Sequence, residues 1–509
     1  MPRHEEEHMK KYEAPGVYIV EKNSYPAQVV EVATDVPIFI GYTERAVQQG
    51  KDVTGVPVRV TSMNEFELWF GKAPAARFDF SLRAGEPVLE LEDSSRFILH
   101  SAIRLFRENG GSACWVVSVG CYGVGEPGIA KSAEHFSDAI WQEVAQQQEP
   151  SMLVIPEAVL LPSPEDYKAV WDRGLAHCAE TRRRFAIVDV FNGDTKRTYD
   201  EADVISGKTG LRNMLSAEDL SFAAAYYPWV NTALHVASDI TFDNISAGTR
   251  KAFFDYIRQD TDARTNEAQK TALEKALDLA VDDETSDAEK ARGVQSLRVL
   301  SKRYKDLIDH AVAALNVMPP SSALAGAYAM TDTRTGVWEA PANIGLLSVV
   351  SPCVDISDAE QDDLNAPLDG KAVNAIRSFP ARGTLVWGAR TLDANSQDWR
   401  YVNVRRTAIM LEQSIKAALD QFVFSPNTAP TCRTIKLSIE SFLNALWIRG
   451  AFTGTSSEEA YRVDVGLGTT MTAIDVEAGT MNVVVQVSLL RPAEFLVLPF
   501  RLQVQTKPD

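Results

Sequence analysis

A glycine-rich segment is the first part of this 509-residue chain whose residue types and spacing could do chemistry. Residues 123–128 (GVGEPG) have the G-x-G-x-x-G spacing with which backbone amides cradle the phosphates of a dinucleotide. Glu126 and Pro127 would crowd that turn, and a carboxylate there repels phosphate. We therefore interpret the segment as a linker loop, with dinucleotide binding as the alternative.

Isolated polar residues offer two further candidates for chemistry. Asp189 lies in an apolar run, residues 185–190, and the carboxyl edge of a strand is where many α/β proteins bind ligands. No nucleophile or base can be named beside it, so a structural acid that caps the following loop is the preferred interpretation. His4 and His8 have the i, i+4 spacing of a metal pair, but they lie in a polar tail. Because no HExxH, paired CxxC or GxSxG motif occurs, we predict no enzyme activity, no cofactor and no metal site.

Charge and cysteine content restrict the class of protein. The formal net charge is −18, which disfavours binding to phosphate backbones. No signal peptide or long apolar window is visible. The odd number of dispersed cysteines favours reduced thiols, with a Cys114–Cys121 bridge as the alternative; the cysteines are Cys114, Cys121, Cys178, Cys353 and Cys432.

Local positive charge near the C-terminus is unusual in so acidic a chain. It indicates a face for an acidic partner, or alternatively surface cations that balance Glu412 and Glu440. The residues are Arg405, Arg406 and Lys416 on one predicted helix and Arg433 and Lys436 on the next.

Three patterns describe the elements that must position these residues. Residues 1–14 are polar, and the short β-prone run Val17–Val20 that follows them has no partner within hairpin reach, so its backbone needs a ladder elsewhere. Residues 33–118 have a globular pattern, and from about 119 to 370 apolar runs alternate with helices, which predicts a mainly parallel sheet covered on both faces. The last 110 residues predict two helices and three strands.

Several of these elements are predicted individually. Strands are expected at 36–40, 113–119, 152–156, 185–190, 460–466, 482–490 and 494–505. Helices are expected after Ser62, whose partner Glu65 suggests a capping box, and at 94–108, 165–180, near 216–225, within 262–290, at 404–422 and at 435–449.

Ordered motifs over most of the chain resemble contractile tail sheath proteins of phages, tailocins and phage-tail-like injection systems. Near the start they are APGVYI (14–19), VPIFIGYT (36–43) and VTSMNEFELWFG (60–71). The strongest are PPSS (319–322), GVWEAPAN (336–343), IRSFP (376–380), VWGARTL (386–392), YVNVRR (401–406) and RPAEF (491–495).

The resemblance implies a multidomain α/β and α+β fold. It implies a subtilisin-like α/β middle domain without protease chemistry, inserted between N- and C-terminal segments, and a C-terminal domain of helices with a small augmented sheet. The expected divisions are an arm at 1–24, an N-terminal segment at 25–118, the middle domain at 119–375 and the C-terminal domain at 376–509.

The resemblance also implies a structural subunit that polymerises helically around an inner tube and contracts to drive the tube through a target envelope. Strands from both chain ends would join a neighbour's sheet by β-augmentation, through Val17, Tyr18, Ile19, Val20, Phe495, Val497, Leu498, Phe500, Leu502 and Val504. Segments 21–27 and 490–491 are expected as flexible linkers, and the cationic helices as tube contacts.

The expected partners are copies of the same chain, an inner tube protein, baseplate and terminal cap proteins and sheath paralogues, with neither nucleic-acid binding nor membrane insertion. Assembly is expected in the bacterial cytoplasm, in a phage tail or tail-like particle that is released in some cases. The alternatives are a non-contractile shell or capsid-like protein and a soluble α/β hydrolase-like enzyme.

Overall fold

The structure is a computed structural model that describes residues 28–123, 129–215, 220–262, 266–281 and 285–494. Its strands are β1 (Pro37–Thr43), β2 (Val47–Gln48), β3 (Lys51–Asp52), β4 (Val58–Val60), β5 (Phe78–Arg83), β6 (Glu86–Leu91), β7 (Cys114–Cys121), β8 (Met152–Val154), β9 (Phe185–Asp189), β10 (Ala223–Tyr227), β11 (Val230–Thr232), β12 (Val317–Met318), β13 (Ile344–Gly345), β14 (Val349–Pro352), β15 (Val373–Phe379), β16 (Gly383–Trp387), β17 (Tyr461–Val465) and β18 (Val483–Val487).

The α-helices in the same residues are α1 (Met63–Phe70), α2 (Leu99–Glu108), α3 (Asp138–Gln146), α4 (Pro164–Thr181), α5 (Leu211–Met214), α6 (Ala247–Asp262), α7 (Glu267–Val281), α8 (Asp287–Leu300), α9 (Lys302–Leu315), α10 (Ser321–Arg334), α11 (Asp358–Asn365), α12 (Val402–Leu419), α13 (Ala429–Ile448), α14 (Ser457–Ala460) and α15 (Ala473–Glu477). None of these helices is both long enough and apolar enough to span a bilayer.

A nine-stranded sheet organises the chain, in the order β13-β16-β15-β10-β9-β8-β1-β7-β4. The strands from β15 through β7 run parallel, and the strands outside them are antiparallel. Every residue of β1 is buried, because both faces of the sheet are covered. Phe39 contacts Phe106 of α2 on one face, whereas Gly174 of α4 lies close to Leu153 on the other. The prediction of a mainly parallel, doubly covered sheet is confirmed.

Two predicted domain boundaries are wrong: the one between residues 118 and 119 falls inside β7, and the one between 375 and 376 falls inside β15. β1 and β4 of the supposed N-terminal segment share the sheet with β8, β9 and β10 of the supposed middle domain. Their side chains form one continuous core. The N-terminal segment is therefore part of the same structural layer as the middle of the chain.

A second core lies outside this sheet. It joins the hairpin β5–β6 to helices α6 to α9, with Phe80 against Phe253 and Phe242 stacked on Tyr304. The acidic stretch 262–290 thus contributes to helices α6, α7 and α8, as predicted; residues 263–265 and 282–284 lie outside the described residues. The helix predicted near 216–225 is wrong at its end, since Ala223–Tyr227 is the buried strand β10.

The third core belongs to the C-terminal region. Helices α12 and α13 pack there with β17, β18 and Trp338. Val29 is also buried in this core, so the chain immediately after the N-terminal arm already contacts the C-terminal region. This arrangement brings both ends of the described chain to one place.

Candidate assembly interface

Helix α12 holds the N-terminal end of the described chain. The backbone N–H of Val32 donates to the Ser414 hydroxyl at 3.0 Å, and the Arg406 guanidinium donates to the Thr34 carbonyl at 2.9 Å. Each bond joins residues more than 350 positions apart along the chain. The N-terminal arm therefore leaves from a fixed point on α12.

The C-terminal end is fixed to the same region. The Asn403 amide donates to the Leu490 carbonyl at 3.0 Å, and Arg390 forms a two-bond ion pair with Glu494 at 2.9 and 2.5 Å. Hydrogen bonding to this carboxylate raises the pKa of Arg390. The flexible linker predicted at 490–491 is therefore wrong, because residues on both sides of it are bound to the body of the subunit; the linker predicted at 21–27 lies outside the described residues.

Between the two chain ends lies a two-stranded antiparallel sheet. β17 and β18 pair in register from Tyr461 with Val487 to Val465 with Val483. Within the described residues, no third strand pairs with either outer edge of this sheet. Its backbone donors and acceptors on both edges are thus available to further strands.

An apolar groove of about 720 Å³ lies between α12 and β18. Helical spacing places Val404, Ala408, Leu411, Ile415 and Leu419 on one side of it, and strand alternation places Val483, Val485 and Val487 on the other. A groove lined in this way is suited to alternate apolar side chains of an added strand. The predicted exchange residues 17–20 and 495–504 lie outside the described residues, so their placement stays a prediction.

Two comparisons of the sequence with known proteins find tail sheath proteins. Residues 394–503 match the family described as "Phage tail sheath C-terminal domain". A tail sheath protein of Burkholderia phage BcepMu is 28% identical over 151 residues, which is 29% of this chain. The match spans 31% of that relative's length.

Solved sheath structures are similar over nearly the whole chain. The helical sheath of the anti-feeding prophage in its contracted state is 26% identical, with a TM-score of 0.60 and coverage of 96% of this chain and 99% of that one. The contracted sheath complex of the extracellular contractile injection system PVC is 26% identical, with a TM-score of 0.60 and coverage of 98% and 99%. A chain of the anti-feeding prophage baseplate is 25% identical, with a TM-score of 0.59 and coverage of 97% and 100%.

The chain is therefore similar to contractile tail sheath proteins in sequence and in fold.

Two of the predicted tube contacts are wrong, because the side chains of Arg405 and Arg406 are both buried. Arg405 donates to the Ser221 hydroxyl at 2.6 Å and lies over the rings of Phe222 and Trp399, whose centroids are 4.2 and 3.6 Å from its guanidinium carbon. Arg406 pairs with Asp332 at 2.9 and 2.6 Å. Helical periodicity indicated a helix, but it could not show that a cationic residue faces inward.

The other three predicted tube contacts are accessible. Lys416 and Arg433 are exposed, and Lys436 is half-buried with Glu440 at 3.7 Å. They lie on two different helices, α12 and α13. Their role in tube binding stays a prediction.

The candidate acid Asp189 has a structural contact. The Asp189 carboxylate is buried and accepts hydrogen bonds from the Ser321 backbone N–H at 2.8 Å and the Ser321 hydroxyl at 2.5 Å. It therefore fixes the start of α10 rather than the loop after β9. Burial raises the pKa of Asp189 to about 7 despite these bonds.

The remaining motifs yield no site in the part of the chain that the structure describes. No group of three or more potential metal ligands occurs there, and Cys114 and Cys121 are free thiols like the other three cysteines. His4, His8 and residues 124–128 lie outside the described ranges.

Sequence reasoning missed the residues that fix the two chain ends. Asn403, Ser414, Arg390 and Glu494 are ordinary polar residues, and their partners lie 87 to 382 positions away. The signal that could have found them is their position: Arg390, Asn403 and Glu494 all fall within quoted sheath motifs.

Proposed function

We propose that this chain is the structural subunit of a contractile sheath, which polymerises helically around an inner tube and contracts to drive the tube through a target envelope. The observation that carries the proposal is the β17–β18 sheet, with two unpaired edges beside an apolar groove and both chain ends fixed nearby. The likeness to two sheaths solved in the contracted state supports it.

Polymerisation follows from strand exchange. Residues 17–20 of one subunit and 495–504 of another add to the edges of the β17–β18 sheet, so that ladder hydrogen bonds link each subunit to its neighbours. The alternating apolar side chains of the added strands fill the groove beside α12. Because each end joins a different neighbour, the contacts do not close on themselves and generate an open helical tube.

The rest of the chain has supporting roles in this proposal. Residues 1–24 form the exchange arm, and the C-terminal region that starts with α12 forms the unit that exchanges strands and faces the tube. In this proposal the nine-stranded layer is a subtilisin-like α/β domain without protease chemistry, and the subunit has a structural rather than an enzymatic role. The particle is assembled in the bacterial cytoplasm on a baseplate, with terminal cap proteins and sheath paralogues as further partners, and is released in some cases.

Electron microscopy of the purified chain, alone and with its tube protein, tests the proposal. We expect striated tubes that exist in a long and a shortened form. Closed shells would instead support a capsid-like protein, and dispersed monomers under all conditions would contradict polymerisation. Deletion of residues 1–24 should leave a folded subunit that no longer forms tubes.

Tube binding is tested separately with exposed cations. Arg433→Glu combined with Lys436→Glu should abolish extended sheath on the tube, because charge reversal repels an acidic partner. Lys251→Glu is the matched control, since Lys251 is exposed on α6, far along the chain from α13. Tube-bound sheath of normal length in the double variant would exclude these two residues as contacts.

A further inference from the structure

Glu494 contacts Arg390 and Tyr401, which lie about a hundred positions earlier in the chain. Arg390 donates to its two carboxylate oxygens from Nε and Nη2, and the Tyr401 hydroxyl donates to the same carboxylate at 3.3 Å. The remaining terminal nitrogen of Arg390 donates to the Asn365 carbonyl at 2.7 Å. The pair is largely withdrawn from water, with side-chain exposures of 9% for Arg390 and 20% for Glu494.

The backbone of Arg390 is itself fixed to the nine-stranded sheet. The Arg390 backbone N–H donates to the Asn374 side-chain oxygen at 2.7 Å, and the Asn374 amide donates back to the Arg390 carbonyl at 2.8 Å. Asn374 is a buried residue of β15. Glu494 is thus joined through Arg390 to the largest rigid layer of the subunit rather than to the small β17–β18 sheet.

The chain before Glu494 adds stiffness. The ring of Pro492 fixes its own φ, and it also restricts Arg491 to extended conformations. Leu490 is held by Asn403. The backbone from 490 to 494 is therefore bound or restricted at several successive positions.

We infer that Arg390 is a positioning residue that sets the point and direction in which the C-terminal segment leaves the subunit, so that tension on this segment passes into the nine-stranded sheet. A two-bond Arg–carboxylate pair is suited to this because its geometry is directional. This inference rests on the proposed strand exchange, because only an exchanged strand places this segment under tension.

The first test uses the unassembled subunit. Glu494→Gln removes the charge but keeps the size, and Arg390→Lys keeps the charge but loses the two-bond geometry. Amide hydrogen exchange in a peptide covering residues 489–494 should become about tenfold faster in both variants, as local opening becomes easier. Glu108→Gln is the control, since it breaks an exposed pair with Arg104 on α2 and should leave that peptide unchanged. Unchanged exchange in Glu494→Gln would overturn the inference.

The second test uses assembled sheath and measures its resistance to shear, which depends on whether the Arg390–Glu494 pair carries tension. Both variants should form extended sheath whose mean length after a fixed shear, measured by electron microscopy, falls to less than about a third of that of the unaltered chain. Faster exchange combined with unchanged sheath length would overturn the role in tension. If the unaltered chain forms no tubes, the proposed function fails, while the exchange measurement still decides whether Arg390 fixes the segment.

Discussion

Buried charged groups join the elements of this protein to each other. Asp189 links β9 to the start of α10. Arg406 of α12 pairs with Asp332, which lies near the end of α10. Glu157 accepts hydrogen bonds from the backbone N–H groups of Tyr42, Ile98 and Leu99, and so connects β1 with α2. Each of these groups therefore binds two elements of the fold together.

The raised pKa of Asp189 predicts a dependence of stability on pH. Because burial raises its folded-state pKa from 3.8 to about 7, the folded state binds the proton more tightly, and its contribution to the free energy of unfolding is lost as the pH rises from about 4 through 7. Asp189→Asn mimics the protonated acid. The free energy of unfolding of the variant, minus that of the unaltered chain, should therefore increase by at least about 1 kcal/mol between about pH 4 and about pH 7.

Urea unfolding of both chains at several pH values measures that difference. Glu157, whose pKa burial also raises to about 7, changes in both chains alike and cancels when the two are subtracted. A difference that stays constant across the range would show that Asp189 ionises normally in the folded state.

The Arg406–Asp332 pair predicts a large loss of stability when one partner is removed. Arg406→Met should lower the free energy of unfolding by about 3 kcal/mol, because it leaves the Asp332 carboxylate buried without its cation. Adding Asp332→Leu should recover part of the loss. Lys416→Met, on the exposed face of the same helix, should change stability by less than about 0.5 kcal/mol. Equal effects at Arg406 and Lys416 in urea unfolding would contradict the buried pair.

At the scale of elements, local signals predicted most of the helices and strands. Ser62 caps α1 by accepting from the Glu65 N–H, and the continuous apolar runs are β1, β8 and β9. The error near 216–225 has a physical cause: an Ala-rich run favours helix locally, but burial between β9 and β15 makes Ala223–Tyr227 a central strand. Tertiary pairing decides such segments, and a single sequence does not reveal it.

The candidate interface was predictable only in outline. The alternation of β18 and the apolar spacing on α12 were visible in the sequence, and both line the groove. Which cations point outward was not visible, because α12 is buried around much of its circumference near its start and Arg405 and Arg406 pair inside the molecule. The contacts that fix the chain ends depend on pairs such as Arg390 with Glu494, which only the fold brings together.

The groove predicts that assembly and folding can be separated by substitutions on one helix. Ile415→Gln places a polar amide among the groove side chains, so it should block addition of a neighbour's strand while the subunit still folds. Ala417→Gln is the matched control, because Ala417 is exposed and lies outside the groove. Sedimentation should find Ile415→Gln entirely as free subunits and Ala417→Gln as polymer. Normal polymer from Ile415→Gln, with circular dichroism unchanged in both variants, would exclude this groove as the site of strand addition.

At the scale of the whole molecule, the net charge of −18 opposes the association of many copies. In the proposed sheath, ladder hydrogen bonds and apolar burial must exceed this repulsion. The repulsion is long-ranged only at low salt, because the Debye length falls from about 30 Å at 0.01 M to about 8 Å at 0.15 M. Free subunits thus repel each other until a template holds them close or salt screens their charge.

Salt should therefore promote polymerisation of the free chain without a template. As the salt concentration rises from about 0.01 M to about 0.5 M, the sedimentable fraction at fixed protein concentration should increase, because screening removes repulsion while strand pairing persists. The chain lacking residues 1–24 provides the control, since it carries the charge of the body but lacks the exchange arm, and it should stay unpolymerised throughout. Polymer in the truncated chain would indicate salting-out of the surface rather than strand exchange. A sedimentable fraction that falls with salt would show instead that attraction between opposite charges holds the subunits together.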